Sequence, residues 1–209
     1  MEVNNYFEST GVLQSKSRMR AVAITDIAIS KVSVVKFRGF TEQENNLIRE
    51  YHKLLLQLAQ KLCDKNKNSE YEYGILINIH TWDHIEIEGV PNGVYMDSSP
   101  AAKLALENGS KNSLLYMHNH PSTGTFSAAD LKTFLLNEAI FIMTAVGNDG
   151  FVYSVQKTAD VDVRGFLTDY FQMAEKYRDA GYLNNATLAL KDIMKKSEKY
   201  GVIYMKGGR

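Results

Sequence analysis

The stretch that most constrains this chain is Leu114-Leu115-Tyr116-Met117-His118-Asn119-His120-Pro121. Four consecutive apolar residues read as a short buried strand. Proline lacks an N–H and cannot continue a central strand, so this one ends at the two histidines. Strand side chains alternate, which puts His118 and His120 on one face and Asn119 on the other. Ser122 to Thr125 has turn-forming composition. From Ser127 the pattern becomes helical, with Leu131, Phe134, Leu135 and Glu138 three and four apart. Asp130 then falls in the first turn of that helix, where it can swing back toward the imidazoles.

Two imidazoles and a carboxylate suit Zn²⁺. Three protein ligands rather than four leave one position for water, the mark of a catalytic rather than a structural site. Zinc can bring the pKa of such a water to about 7, so a nucleophile is available at neutral pH. A plainer reading stands beside this one. Ser127-x-x-Asp130 also fits a helix capping box, in which the serine simply caps the helix start and does no chemistry.

Together, His118-x-His120-Pro121 and Ser127-x-x-Asp130 resemble the signature of the JAMM/MPN+ (JAB domain) zinc metallopeptidases. The His-Asn-His-Pro-Ser wording is most similar to the bacterial RadC-like branch. The similarity covers roughly residues 42–156. It implies an α/β fold of the MPN/JAB, cytidine-deaminase-like kind, a mixed β-sheet flanked by helices. It implies zinc held by His118, His120 and Asp130, and Ser127 helping to stabilise the oxyanion of a tetrahedral intermediate. The family also has a glutamate on the first sheet strand after a long helix. Glu72, opening the run Glu72-Tyr73-Gly74-Ile75-Leu76-Ile77-Asn78-Ile79, fits that place. It would be the general base that takes a proton from the attacking water and returns it to the leaving amine. Glu70, two residues earlier, and Glu86, Glu88 and Glu107 remain alternatives. The chain departs from the family at one point: nine residues, Pro121 to Ala129, separate the second histidine from the aspartate where the family usually has ten. The loss falls in the turn at 122–126. His52, His80 and His84 have no partner at ligand spacing and read as surface or core residues.

The implied reaction is hydrolysis of an amide bond in a peptide or protein, such as a ubiquitin-like conjugate joined to a lysine or a specialised peptide. Two other classes stand beside it: a non-catalytic scaffold or binding module, and a DNA-repair-associated role suggested by the RadC-like wording. The formal net charge is zero, with 24 basic and 24 acidic side chains. That balance gives no electrostatic pull toward nucleic acid or an anionic membrane, so nucleic acid is not an expected partner. The locally basic end, Lys191, Lys195, Lys196, Lys199, Lys206 and Arg209 against Asp192 and Glu198, reads as a solvated helix face. One cysteine, Cys63, precludes an internal disulfide and fits a reducing compartment. The polar, acidic start lacks the pattern of a signal peptide. The longest apolar run, Ala139 to Val146, is far too short to span a bilayer. The expectation is a cytoplasmic protein with no membrane partner, open to self-association.

A chain of 209 residues can bury a full core. The expected division is an N-terminal extension with β structure (1–40), a metallopeptidase-like domain (41–157) and a C-terminal helical hairpin (158–209). Residues 1–20 lack a clear period, while 21–37 are rich in valine and isoleucine and predict one or two strands. Thr41-x-x-Glu44 opens a helix with Leu47, Tyr51, Leu54, Leu55, Leu58 and Leu62 along one face through about Cys63. Strands follow near 71–80, 83–89 and 93–97, then a helix near 100–108 with Pro100 in its first turn. After the 113–119 strand and the 127–138 helix, Ile140 to Val146 and Phe151 to Gln156 form a hairpin about Gly147-Asn148-Asp149-Gly150. Leu167, Tyr170, Phe171, Ala174 and Tyr177 share a helical face, a second helix spans Leu183 to Lys199, and Tyr200 to Met205 can add an edge strand. Lys206-Gly207-Gly208-Arg209 reads as a flexible tail.

Overall fold

A computed structural model describes residues 21–208. Six strands form one mixed sheet: β1 (Tyr71–Asn78), β2 (His84–Pro91), β3 (Leu114–His120), β4 (Ile140–Gly147), β5 (Val152–Lys157) and β6 (Val202–Lys206), in the order β2-β1-β3-β4-β5-β6. The helices are α1 (Asp26–Ser30), α2 (Glu42–Asn66), α3 (Pro100–Asn108), α4 (Ala128–Leu136), α5 (Val163–Asp179) and α6 (Asn185–Met194). The β1–β2, β1–β3 and β4–β5 pairs are antiparallel, and β3–β4 is parallel. A parallel pair needs a crossover connection, and the turn after Pro121 with α4 supplies it. The α/β class and the mixed sheet expected from the sequence are therefore present. No helix among the described residues is long and apolar enough to cross a membrane.

The described chain divides into two compact units. The larger holds residues 21–125, 137–156 and 205–208. Its core lies on the face of the sheet covered by α2, where Ile48, Leu55, Leu56 and Ala59 meet Ile75, Ile77, Leu115, Met117 and Ile142. The helix starts where its sequence says: the Thr41 hydroxyl oxygen accepts from the Glu44 N–H, and the Glu44 carboxylate accepts from the Thr41 N–H. It runs three residues beyond Cys63 and ends at Lys67, which adopts a left-handed conformation (φ 52°). The buried stripe is rotated from the expected one. Ile48, His52, Leu55, Leu56, Ala59 and Leu62 face the sheet, while Leu47 is exposed and Tyr51, Leu54 and Leu58 sit at the flanks. An alanine and a neutral histidine pack inside this core beside the leucines.

The smaller unit comprises residues 126–136 and 157–204. Helix α5 packs along α6, and α6 also touches α4. Asp162 caps α5 by accepting from the Gly165 N–H. Tyr177 donates to Asp192, while Asp169 accepts from Tyr200 and pairs with Lys199 at 2.8 Å. Lys195 and Lys199 thus lie on carboxylates of their own unit, as a solvated basic face would. The second helix ends at Met194, before a 3₁₀ turn over Ser197–Tyr200.

Several expectations are corrected. Residues 21–37 do not form a strand. Thr25 caps the five-residue helix α1 through the Ala28 N–H, and Val34 makes only an isolated bridge to Gly208. Alternating β-branched residues lost here to a threonine cap followed by aspartate, a local helix start. Residues 93–97 are not a strand either: Gly93 bridges back to Val90 and a 3₁₀ turn begins at Met96. Gly207 and Gly208 are not a free tail, since Gly207 donates to the Val152 carbonyl and Gly208 pairs with Val34. Residues 1–20 and Arg209 lie outside the described residues.

Candidate metal centre

Strand β3 ends where expected, with His118 and His120 in its last three residues. His118 is buried, 1% exposed, and His120 is half-buried. Their Nε2 atoms face each other at 2.9 Å, and the His120 Nδ1 lies 3.4 Å from the Gly124 carbonyl oxygen in the turn. Tyr116, two residues back on the same face, stacks on His118 with ring centroids 5.2 Å apart and planes 16° from parallel. That stack holds the first imidazole's plane.

At the start of α4 Ser127 and Asp130 cap each other. The Ser127 hydroxyl oxygen accepts from the Asp130 N–H at 3.2 Å, and Asp130 Oδ2 accepts from the Ser127 N–H at 2.6 Å. This is a reciprocal cap with aspartate in the glutamate's role. It orients the Asp130 carboxylate through Oδ2. The serine accepts within the cap and keeps its own proton to donate.

One donor atom each from His118, His120 and Asp130 lies within 4.8 Å of the other two. These three can hold a metal ion, as the sequence suggested. Two nitrogens and one oxygen is a donor set zinc accepts, and two ligands on a tetrahedral zinc stand roughly 3.3 Å apart, close to the imidazole separation found. His120 and Asp130 are only partly buried, so solvent reaches the centre.

Register decides which glutamate shares this face. Gly74 pairs with His118 across β1 and β3. Glu72 is two residues from Gly74 on the same strand, so it points to the same face as His118 and His120. It is 7% exposed and is the one buried acidic side chain among the described residues. Glu70, Glu86, Glu88 and Glu107 are exposed, and Glu86 accepts from the Tyr73 hydroxyl. Opposite Glu72 the β1–β2 register shifts by one residue: Tyr71 pairs with Pro91 and Tyr73 with Glu88. Such a bulge re-aims side chains beside functional sites. Gly89 lies in it, and a Cβ there would meet the Glu72 carbonyl oxygen at 2.6 Å.

Small residues surround the histidines. His118 is flanked across the sheet by Gly74 and Ala145, and His120 by Gly147. A Cβ on Gly74 would come within 2.9 Å of Val94 and 3.2 Å of Tyr116. The missing side chain at Gly74 lets Val94 and Tyr116 pack close to the strand. Nothing local in the sequence marks these residues, because the pattern exists only once the strands are paired.

The remaining histidines are not ligands. His52 is fully buried on the opposite face, with Nε2 3.0 Å from the Thr144 hydroxyl, and burial pushes its pKa down to about 3. His84 lies beside Tyr51 and 3.7 Å from Glu86, and His80 is exposed. No protein-family model matches the chain, and neither the curated proteins nor the solved structures give a significant match.

Proposed function

We propose that the chain is a zinc-dependent metallopeptidase or isopeptidase of the JAMM type, hydrolysing an amide bond in a peptide or protein substrate. The observation that carries this is the convergence of one donor each from His118, His120 and Asp130 at the end of β3 and the start of α4. Those three residues would hold the metal. A zinc bound there would supply Lewis acidity toward the amide carbonyl and a water reactive at neutral pH.

The chain's own groups do the rest. Glu72, buried on the histidine face, takes a proton from the attacking water and passes it to the leaving nitrogen. Ser127 keeps its hydroxyl proton while its oxygen accepts within the cap, so it can donate to the oxygen on which charge develops. Val94 and Tyr116, which close over Gly74, border the substrate's path.

The test is Glu72→Gln in zinc-loaded protein, assayed on a panel of quenched peptides and an isopeptide-linked ubiquitin-like conjugate. The wild type should cleave at least one member. The variant should keep its zinc and lose about 10²- to 10⁴-fold in kcat/KM. An unchanged rate removes Glu72 from the mechanism, and zinc-loaded wild type inert on every member contradicts the peptidase reading.

A further inference from the structure

Between the two histidines stands Asn119, fully buried and on the opposite face. The backbone ladder between β1 and β3 stops at Gly74 and His118. Beyond that rung the Asn119 side chain takes the ladder's place. Its Oδ1 accepts from the Tyr73 N–H at 2.6 Å, and its Nδ2 is 3.4 Å from the Tyr71 carbonyl oxygen. One amide thus holds the backbone on both sides of Glu72. The same Nδ2 donates to Asn148 Oδ1 at 2.9 Å. Asn148 is itself anchored, its N–H donating to the His120 carbonyl at 3.0 Å and its Nδ2 to the Val22 carbonyl at 2.8 Å. Val22 in turn donates to the Pro121 carbonyl at 2.7 Å. The network runs from the residues around Glu72 to the backbone of His120 and Pro121.

We propose that Asn119, backed by Asn148, is a positioning residue that fixes Glu72 relative to the metal ligands. This rests on the metallopeptidase reading and adds to it a second set of residues, on the far side of the sheet from the chemistry. A leucine or valine at position 119 would fill the same core space. An amide is needed there because splaying β1 from β3 strands an N–H and a carbonyl that only a side chain carrying both donor and acceptor can satisfy. The amide ties the backbone on both sides of Glu72 to the strand that carries the histidines. Groups that orient a site from behind typically matter by about 10- to 100-fold.

The experiment is a double-mutant cycle on cobalt-loaded protein, with acetohydroxamate as the probe. Cobalt occupancy is read from its visible absorption, and hydroxamate affinity from the change in that spectrum. A hydroxamate chelates the metal and hydrogen-bonds to a neighbouring carboxylate, so its affinity reports where Glu72 stands. Asn119→Ala and Asn148→Ala should hold cobalt within about threefold of wild type. Hydroxamate binding should weaken about tenfold in Glu72→Gln and in Asn119→Ala, and about threefold in Asn148→Ala. The Glu72→Gln/Asn119→Ala double variant should bind no more weakly than Glu72→Gln alone, because both changes remove one effect.

Additive losses overturn the proposal, as does loss of cobalt in Asn119→Ala to the extent seen in Asp130→Ala. So does wild-type hydroxamate affinity in both asparagine variants. Should Asn119→Ala not fold, the Asn148→Ala cycle with Glu72→Gln is judged by the same criteria. A wild type that takes up no cobalt, or a Glu72→Gln variant with unchanged hydroxamate affinity, overturns the parent reading itself.

Discussion

His52 and His118 are both 1% exposed, yet they sit on opposite faces of the same sheet and mean different things. His52 comes from α2 into the apolar core, finds one hydroxyl partner and is held neutral by desolvation. His118 lies at a strand end, beside a second imidazole, a carboxylate and a row of glycines and alanine. Burial therefore does not identify a functional histidine. What separates the two is the company each keeps: the α2 face is filled with aliphatic side chains, while the other gathers a second imidazole and a carboxylate.

The largest effect that sharpens this contrast comes from neighbouring residues on β3. Met117→Ala empties space in the α2-face core and should cost about 2–5 kcal/mol of stability, leaving zinc stoichiometry intact in the folded protein. His118→Ala should do the reverse, losing most of the bound zinc with little cost to the zinc-free fold. Denaturant titration and metal analysis on the same preparations separate the two. If Met117→Ala also strips the metal, the faces are not independent.

A smaller effect is pH-dependent. The pKa of His52 is about 6.5 unfolded and about 3 folded, so above pH 6.5 the residue is neutral in both states and costs nothing. As pH falls below 6.5 the unfolded chain takes up a proton that the folded one refuses. Stability is lost progressively down to about pH 3, by at most about 1.4 kcal/mol per pH unit. His52→Gln should flatten the stability profile between pH 6 and 3.5 relative to wild type while keeping a partner for Thr144. Parallel profiles would show that His52 is not neutral in the fold.

Much of this was legible from local patterns. Pro121 ended β3, Ser127-x-x-Asp130 started α4, and the histidine spacing put both rings on one face. These signals span fewer than a dozen residues each, and steric rules act at that range. The choice of Glu72 over Glu70 was legible only as a position. Its physical basis is the pairing of Gly74 with His118 and the bulge opposite Glu72, both made between distant segments. Asn119 was read merely as the residue pointing away, since its partners at Tyr71, Tyr73 and Asn148 lie up to 48 positions off. The segment at 21–37 misled for the opposite reason: its β-branched alternation is real, but a short helix start capped by Thr25 outweighed it.

X-ray absorption at the zinc edge of stoichiometrically loaded protein tests the centre most directly. The account predicts one zinc per chain with a shell of low-Z ligands near 2.0–2.1 Å and outer-shell scattering from two imidazoles, falling to one imidazole in His120→Ala. A spectrum without imidazole scattering, or one unchanged by that substitution, would show that the ion is held elsewhere.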